Sequence, residues 1–395
     1  MENAKELLLE GQGTFCDIIK GALYREEETI FEHLDFENDA LFMEPMLFGY
    51  CTKKDTRPLK EQILFGVRAA ANRPTQLTVY TNKNGVVCLP QYAYWKTKYP
   101  STPLELHYNP IEDTLFLTKD EQPVNAERTA LTLLENLPEV ELSNCIDIYS
   151  EALFYTWPRV EEAAITELLE GPEVALADYQ PAIETAFKLL KQHFPAEWEK
   201  YALTTRRIVL FSSPQLRNFA TREMHGTIYL NVNKDSNVLF FLEELIHQCS
   251  HTVFNAVTCE TQDYFAVDYN KTIGSFLNNT DYRTLYSAFH GIYTTGQIVD
   301  LFLKLIKASP DLEARMRHEL EGRIAINKTR HNIGLEKIDP EVIFTPKGKA
   351  IFKFYYEQLD QNIETNPSFF AYDMSRHPVV FNYEKFLQDN PLPVA

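Results

Sequence analysis

The first third of the chain carries the alternating apolar and polar positions that are typical of half-buried strands. Residues 74–81 alternate in this way and include β-branched and aromatic side chains, which suit a pleated strand. An Asn-Gly turn follows, and Val86–Leu89 returns as a second apolar run, so the pattern predicts a β-hairpin. Another short strand is predicted at 114–118. We therefore interpret residues 1–120 as a strand-rich module.

From about residue 125 onward, the spacing of apolar residues is mainly helical. Over 180–194 and 238–257 they recur every three or four residues, which indicates amphipathic helices. Pro181 suits the first turn of the former helix, and Asp235, Ser236 and Asn237 offer N-caps for the latter. Further helices are predicted around 285–306 and 350–359, and buried strands at 207–211 and 226–232. The whole pattern predicts an α+β fold with a mainly helical domain at 121–395.

Composition and charge narrow the possible functions. The 395 residues are 45% hydrophobic and 24% charged, which is ordinary for a globular protein and argues against disorder or a coiled coil. The formal net charge of −18 disfavours nucleic acid as a partner, because an acidic surface repels phosphates. No apolar run approaches the roughly 20 residues that span a bilayer. The six cysteines form no CxxC pair, so we expect reduced thiols and a cytoplasmic location.

Two histidines on the predicted helix at 238–257 are the clearest candidates for chemistry. His247 and His251 are four residues apart, so both imidazoles project from one helix face and can reach one metal ion. Histidines at this spacing also occur by chance as half-buried side chains without a metal. Apolar residues flank the pair, and either Glu243 or Glu244 can accept a hydrogen bond from a ligand imidazole. A solvated start of the helix, favoured by its dipole, is the alternative role of the two glutamates. For the histidine pair, a metal site is one interpretation, and surface or half-buried histidines without a metal are the other.

Gln248 stands where HExxH zinc hydrolases carry the Glu that deprotonates the metal-bound water. A carboxamide cannot accept that proton near neutral pH, so a hydrolytic mechanism requires another carboxylate, for which Glu260 and Asp263 are candidates. The presence of Gln instead of Glu leaves both candidate histidine ligands in place. Chemistry that needs a metal with open coordination positions, but no Glu, remains available.

Non-haem iron(II) oxygenation is such a chemistry. A facial set of three protein ligands leaves three adjacent positions, two for a 2-oxo acid and one for dioxygen. His290 is our candidate for the third ligand, because it lies in an apolar segment and Gly291 permits close approach. A lone histidine in such a segment is also often a hydrogen-bonded core residue. The other candidate histidines lie in more polar surroundings: His225, His318 and His331.

Four features in this order resemble the HExxH-motif peptide-modification proteins of ribosomal peptide natural product pathways. They are the strand that begins at Gly226, the Glu-rich helix with its two histidines, the segment from Arg283 to His290-Gly291, and the Thr-Pro-Lys-Gly segment at 345–348. The resemblance covers residues 180–360. It implies a 2-oxoglutarate- and Fe(II)-dependent enzyme that uses O2 to β-hydroxylate a residue of a precursor peptide. The implied iron ligands are His247, His251 and His290, and the departure from the family is Gln248.

A 2-oxo diacid also needs a cation for its distal carboxylate, preferably a bidentate guanidinium. Arg283 is our first candidate, because it lies about two helical turns before His290; a surface ion pair is the alternative role for this residue. The runners-up are Arg206, Arg207 and Arg323. The strand-rich module would then recognise the peptide. Two competing hypotheses remain: an HxxxH zinc hydrolase with a relocated base, and a non-catalytic peptide-binding scaffold.

Overall fold

A computed structural model describes residues 4–52, 57–156, 174–214, 216–331, 334–378 and 380–392. The fold is of the mixed α+β class that the sequence predicts, with a strand-rich N-terminal region and a helical C-terminal region. The helices of the described residues, in chain order, are α1 Ala4–Glu26, α2 Asp39–Phe42, α3 Pro45–Thr52, α4 Lys60–Val67, α5 Ile148–Thr156, α6 Leu176–His193, α7 Pro195–Thr204, α8 Val238–Val257, α9 Ile273–Leu277, α10 Leu285–Ala308, α11 Ala314–His331, α12 Pro340–Ile343, α13 Pro346–Thr365 and α14 Tyr383–Asp389. None of these helices is long and apolar enough to cross a membrane.

The strands of the described residues form three sheets. They are β1 Gln76–Tyr80, β2 Val86–Leu89, β3 Ala93–Lys96, β4 Pro103–Asn109, β5 Thr114–Lys119, β6 Gln122–Pro123, β7 Glu127–Thr129, β8 Thr132–Leu133, β9 Glu141–Ser143, β10 Arg207–Phe211, β11 Phe219–Ala220 and β12 Thr227–Asn231. The sheet orders are β1-β4-β5-β6, β2-β3-β7 and β11-β12-β10-β9-β8. In the last sheet β10 pairs in parallel with both β9 and β12, and all its residues are buried, as expected of a central strand.

The chain divides into two compact units, and each unit draws on separated segments. Unit 1 contains Met1–Gly11, Thr185–Lys200 and Asn237–Ala395, and unit 2 contains Gln12–Glu184 and Tyr201–Ser236. All three sheets belong to unit 2, and residue 120, the end of the predicted module, lies inside it. The helices that carry the candidate histidines belong to unit 1.

The predicted pairing of the hairpin is wrong, although both of its strands form. β1 pairs with β4, so that Val79 faces Leu104, whereas β2 pairs with β3. The turn itself is present, since the backbone N–H of Gly85 donates to the carbonyl of Asn82 at 3.0 Å. Thr81 N–H, however, donates to the carbonyl of Thr102 at 3.1 Å, which continues the β1–β4 ladder and separates the two strands into different sheets.

The predicted start of helix α6 is also wrong. The helix begins at Leu176, so Pro181 lies inside it rather than in its first turn. Asp178 occupies the first turn, where a carboxylate is favoured by the helix dipole. The strand predictions at 207–211 and 114–118 are confirmed by β10 and β5. The predicted helix that ends at about Val257 is confirmed by α8, and of the three candidate N-caps the structure selects Asn237.

Helix α10 is the centre of unit 1. It packs against α8, α11 and α13, and most of its residues are buried, which is typical of a core helix rather than a surface helix. Arg323 of α11 is buried, and its guanidinium donates to Glu243 of α8 at 2.5 Å and to Glu319 at 2.7 Å. The pair with Glu243 connects α8 to α11 and so helps to fix the orientation of α8.

Two glycines in the first half of α1 should respond oppositely to alanine. A Cβ at Gly11 would lie 1.9 Å from the carbonyl oxygen of Ala256, whereas a Cβ at Gly13 meets nothing within 4 Å. We expect Gly11→Ala to lower the free energy of unfolding by about 1–3 kcal/mol through overpacking. Gly13→Ala should raise it by about 0.5–1 kcal/mol, since alanine is the better helix former. Urea unfolding of both variants measures this, and equal effects would contradict the close approach at Gly11.

Candidate functional site

The candidate site begins on one face of α8. His247 and His251 lie one helical turn apart, and their ring centroids are separated by 4.9 Å. Both side chains are half-buried, while the neighbouring apolar residues Leu245, Ile246 and Val253 are buried. The four-residue spacing therefore places both imidazoles together at the edge of the core of unit 1, as the sequence predicts for a helix.

The structure brings His290 of α10 to the same place. Its Nδ1 atom lies 3.1 Å from Nδ1 of His251, and the two ring centroids are 4.6 Å apart. One of these nitrogens donates the hydrogen bond and the other accepts it, so the pair shares one proton. The three imidazoles named from the sequence thus form one row, which we call the histidine cluster (His247, His251 and His290).

Aromatic side chains surround the α10 end of the cluster. The rings of Phe254 and Tyr286 each have their centroid 4.9 Å from that of His290. Burial and the neighbouring His290 and His247 lower the pKa of His251 well below its usual value, because a charged imidazole loses hydration and is repelled by a second one. His251 is therefore neutral at physiological pH, which is the form that binds a metal.

Gln248 and Glu244 contact His247. The Gln248 side-chain N–H group donates to the carboxylate of Glu244 at 3.0 Å and lies 3.3 Å from Nδ1 of His247. Because an amide N–H can only donate, this contact makes Nδ1 the acceptor and places the proton of the neutral ring on Nε2. Glu244 Oε2 itself lies 3.7 Å from His247 Nδ1. Of the two glutamates considered from the sequence, Glu244 therefore lies beside the cluster.

The other carboxylates considered as a base or an acceptor lie elsewhere. Glu243 is buried and paired with Arg323 on α11. Glu260 and Asp263 follow the C-terminal end of α8 and are exposed, and Asp263 lies 3.9 Å from Lys347 Nζ. A hydrolytic base at the histidine cluster would therefore be Glu244 rather than either of the two predicted candidates.

Arg283 is engaged by a neighbour. Its guanidinium donates to both carboxylate oxygens of Asp281, at 3.0 Å and 2.5 Å, and this pairing raises the pKa of Arg283 and lowers that of Asp281. The side chain is 37% exposed. A bidentate arrangement of this kind is the one in which a guanidinium binds a carboxylate ligand, so a distal carboxylate would compete with Asp281 for it.

The runners-up are placed outside the histidine cluster. His225 lies in unit 2, fully buried between the rings of Phe15 and Phe48 at centroid distances of 4.6 Å and 5.3 Å. His318 is buried on α11 near the hydroxyl of Tyr383. The side chain of His331 lies outside the described residues. The arginines among the runners-up are either in unit 2, as are Arg206 and Arg207, or paired with carboxylates, as is Arg323.

Two residues of the site were not predicted from the sequence: Asn255 and Tyr286. The Tyr286 hydroxyl lies 3.2 Å from Asn255 Oδ1 and 3.0 Å from Thr258 Oγ1. Asn255 is four residues after His251, and Tyr286 is four residues before His290. Because residues four apart share a helix face, this spacing from the candidate histidines indicates that both residues lie beside the site.

Two buried amide atoms flank the histidine cluster without a hydrogen-bond partner among the described residues. They are Oε1 of Gln248 and Nδ2 of Asn255, and both side chains are 1% exposed. An unpaired buried polar atom costs free energy, and in native proteins it is usually satisfied by water or a ligand. The surroundings of the cluster therefore suit a polar occupant.

With the side chains in their present positions, the histidine cluster meets only part of the geometry that a metal ion requires. Two imidazole nitrogens bound to one ion at about 2.0–2.1 Å are separated by about 3.0–3.4 Å, and the 3.1 Å between His251 and His290 agrees with that. Within the described part of the chain, however, no group of three or more His, Cys, Asp or Glu side chains has a geometry that could hold a metal. His247 is the side chain that would complete the set.

Comparison with known proteins does not assign the chain to a family. No family model matches the sequence, and no significantly similar curated protein was found. The function must therefore be argued from the residues of the histidine cluster and their surroundings.

The pKa of His251 provides a test of the cluster. Replacing His290 with Gln removes the neighbour that, after burial, lowers this pKa most, so we expect the pKa to rise toward the usual histidine value but to stay below it. His247→Gln should raise it less. Imidazole NMR titration of the two variants and the parent protein measures this. An unchanged pKa in His290→Gln would show that the two rings do not interact.

Proposed function

We propose that this protein is a 2-oxoglutarate- and Fe(II)-dependent oxygenase that β-hydroxylates a residue of a ribosomally made precursor peptide. The observation that carries the proposal is the convergence of His247, His251 and His290 from two helices, with 3.1 Å between the nitrogens of the last two. Imidazole nitrogens are suitable ligands for Fe(II). The resemblance of residues 180–360 to the HExxH-motif peptide-modification proteins supports the choice of reaction.

Bound Fe(II) would supply the activation of O2, one oxygen atom of which converts 2-oxoglutarate to succinate and CO2 while the other enters a C–H bond of the peptide. The protein's own residues favour this reaction over hydrolysis. Gln248 cannot act as a general base, and the rings of Phe254 and Tyr286 pack against His290 with centroid distances of 4.9 Å. Aromatic packing of this kind limits the access of water to a reactive centre.

Arg283 would bind the distal carboxylate of 2-oxoglutarate in this proposal. Its guanidinium already holds the carboxylate of Asp281 in a bidentate pair, which is the geometry that the co-substrate requires. The co-substrate would replace Asp281 as the partner. Because the side chain is 37% exposed, this exchange is possible without unfolding the core.

The precursor peptide would bind to unit 2 by strand addition. β7, Glu127–Thr129, is the last strand in the order β2-β3-β7, and its residues are exposed, so an extended peptide can pair with it. The net charge of −18 favours a neutral or basic peptide over an acidic one. The cation of Arg128 lies over the ring of Trp95 at 5.8 Å on the same strand pair.

One specific observation favours a second candidate, a zinc-dependent hydrolase. Glu244 lies 3.7 Å from Nδ1 of His247 and is the carboxylate that could replace the base missing at Gln248. The structure places it on the histidine side of α8 by its hydrogen bond to Gln248. A non-catalytic peptide-binding scaffold is the remaining alternative, and the same experiment distinguishes all three.

The test combines metal content, succinate and peptide mass. The protein is loaded with Fe(II) without oxygen, then mixed with 2-oxoglutarate, air and a candidate precursor peptide. We expect stoichiometric succinate and a peptide that gains one oxygen atom. Cleaved peptide would support the hydrolase, and bound but unchanged peptide without succinate would support the scaffold.

Variants distinguish iron bound at the histidine cluster from iron bound adventitiously elsewhere on the protein. His290→Ala should lower the affinity for Fe(II) by at least about tenfold and abolish succinate formation. His318→Ala is the matched control, because that histidine is also buried in unit 1 but contacts Tyr383 and Phe386 instead. If His290→Ala keeps both its iron and its activity, His290 is not a ligand.

A further inference from the structure

Asn255 on α8 is a buried amide that its protein neighbours satisfy only in part. Its side chain is 1% exposed, and its Nδ2 atom has no hydrogen-bond partner within the described part of the chain. Its Oδ1 atom lies 3.2 Å from the hydroxyl of Tyr286. A buried N–H group without an acceptor costs free energy, so Asn255 destabilises the fold unless a bound molecule supplies that acceptor.

The contact with Tyr286 gives the amide little support. The hydroxyl of Thr258 donates to the carbonyl of Phe254 at 2.6 Å, so it can only accept from the hydroxyl of Tyr286, which is 3.0 Å away. The single proton of Tyr286 is thus shared between Thr258 and Asn255. A buried amide that served the fold alone would use both of its polar atoms, whereas Asn255 uses one of them in part.

Asn255 contacts the stretch of chain that joins the histidine cluster to Arg283. The ring centroid of Tyr286 lies 4.9 Å from that of His290. Along the chain, Tyr286 is four residues before His290 and three residues after Arg283, which directly precedes the N-cap of α10. Asn255 itself follows His251 by about one helical turn. A molecule that contacts both His290 and Arg283 would therefore pass beside Tyr286 and Asn255.

The chemistry of the unpaired atom indicates what kind of molecule it binds. Nδ2 of Asn255 is a donor, whereas the other unpaired amide atom beside the histidine cluster, Oε1 of Gln248, is an acceptor. An ionised carboxylate offers acceptors only. It can therefore bind Nδ2 of Asn255 and is repelled by Oε1 of Gln248.

We propose that Asn255 binds 2-oxoglutarate, and that its Nδ2 atom donates a hydrogen bond to the carboxylate next to the oxo group. The inference rests on the proposed oxygenase function and adds a residue to it. Arg283 is assigned there to the distal carboxylate, so the oxo-acid end of the co-substrate lies toward His290. The amide of Asn255, which contacts Tyr286 beside His290, is then the donor nearest to that end.

Access to the amide depends on Tyr286. Asn255 is buried, whereas Tyr286 is half-buried and touches the amide through its hydroxyl. Because one proton serves two acceptors, hydrogen bonds hold the phenol ring only weakly in place. We expect the ring to turn toward solvent when the co-substrate enters, so that the carboxylate reaches Nδ2 of Asn255.

Two variants of Asn255 test this role. Asn255→Leu removes both polar atoms of the amide, whereas Asn255→Asp keeps an acceptor for the Tyr286 hydroxyl and replaces the donor with oxygen. Either change should weaken the binding of 2-oxoglutarate by about tenfold or more, because a hydrogen bond to a charged group is lost. At about pH 8, Asn255→Asp should weaken it further, since an ionised carboxylate repels the co-substrate.

Isothermal titration calorimetry of the Fe(II)-loaded protein with 2-oxoglutarate, kept free of oxygen, measures the dissociation constant without turnover. The iron content of both variants should match that of the parent protein, and Asn255→Leu should unfold in urea at the parent midpoint or above it. Unchanged dissociation constants would overturn this inference and leave the oxygenase proposal standing. If the parent protein binds no 2-oxoglutarate, the proposed function fails and this inference fails with it.

Thr258→Val is the matched control. It removes the other acceptor of the Tyr286 hydroxyl but no group that is assigned to the co-substrate, so the dissociation constant should remain that of the parent protein. An equal loss of binding in Thr258→Val would show that Asn255 acts only by holding Tyr286, and the donor role of Nδ2 would then be wrong.

Discussion

The packing of helix α10 against helix α8 is the constraint on which the candidate site depends. Neither helix alone carries three ligating side chains, since His247 and His251 lie on one and His290 on the other. Their 3.1 Å nitrogen contact requires that both helices hold their register. Burial of α10 against three other helices holds one partner of this arrangement, and the ion pair between Arg323 of α11 and Glu243 holds α8.

Much of the secondary structure could be predicted from the sequence, whereas the pairing of the strands could not. The period of apolar residues and the Asn237 cap located α8 correctly, because both are local properties. The partner of β1 is a non-local property: β4 begins more than 20 residues later, and alternation alone does not select it over β2. The division into two units is likewise non-local, since each is built from separated segments.

The candidate site shows the same division between local and non-local information. The spacing of His247 and His251 is read directly from the sequence, and His290 is placed beside them by helix packing that the sequence only suggests. The ion pair that the sequence offered as the alternative role of Arg283 does form, and its partner, Asp281, lies only two residues away in the chain. Asn255 and Tyr286 lie on the expected helix faces, but their mutual contact exists only once α8 and α10 are packed together.

The hydrogen bonds that the three histidines now make are the contacts that a bound metal ion would have to replace. Gln248 donates toward Nδ1 of His247, which leaves the ring proton on Nε2, and the pair formed by His251 and His290 shares one proton between two Nδ1 atoms. A metal bound at His247 Nε2, or at the Nδ1 atoms of the other two histidines, would therefore require a ring proton to move to the other nitrogen of its imidazole. Glu in place of Gln248 could accept a proton from His247 Nδ1 and leave Nε2 bare. The substitution of Gln for the motif Glu thus affects the readiness of His247 to bind a metal as well as the chemistry that follows.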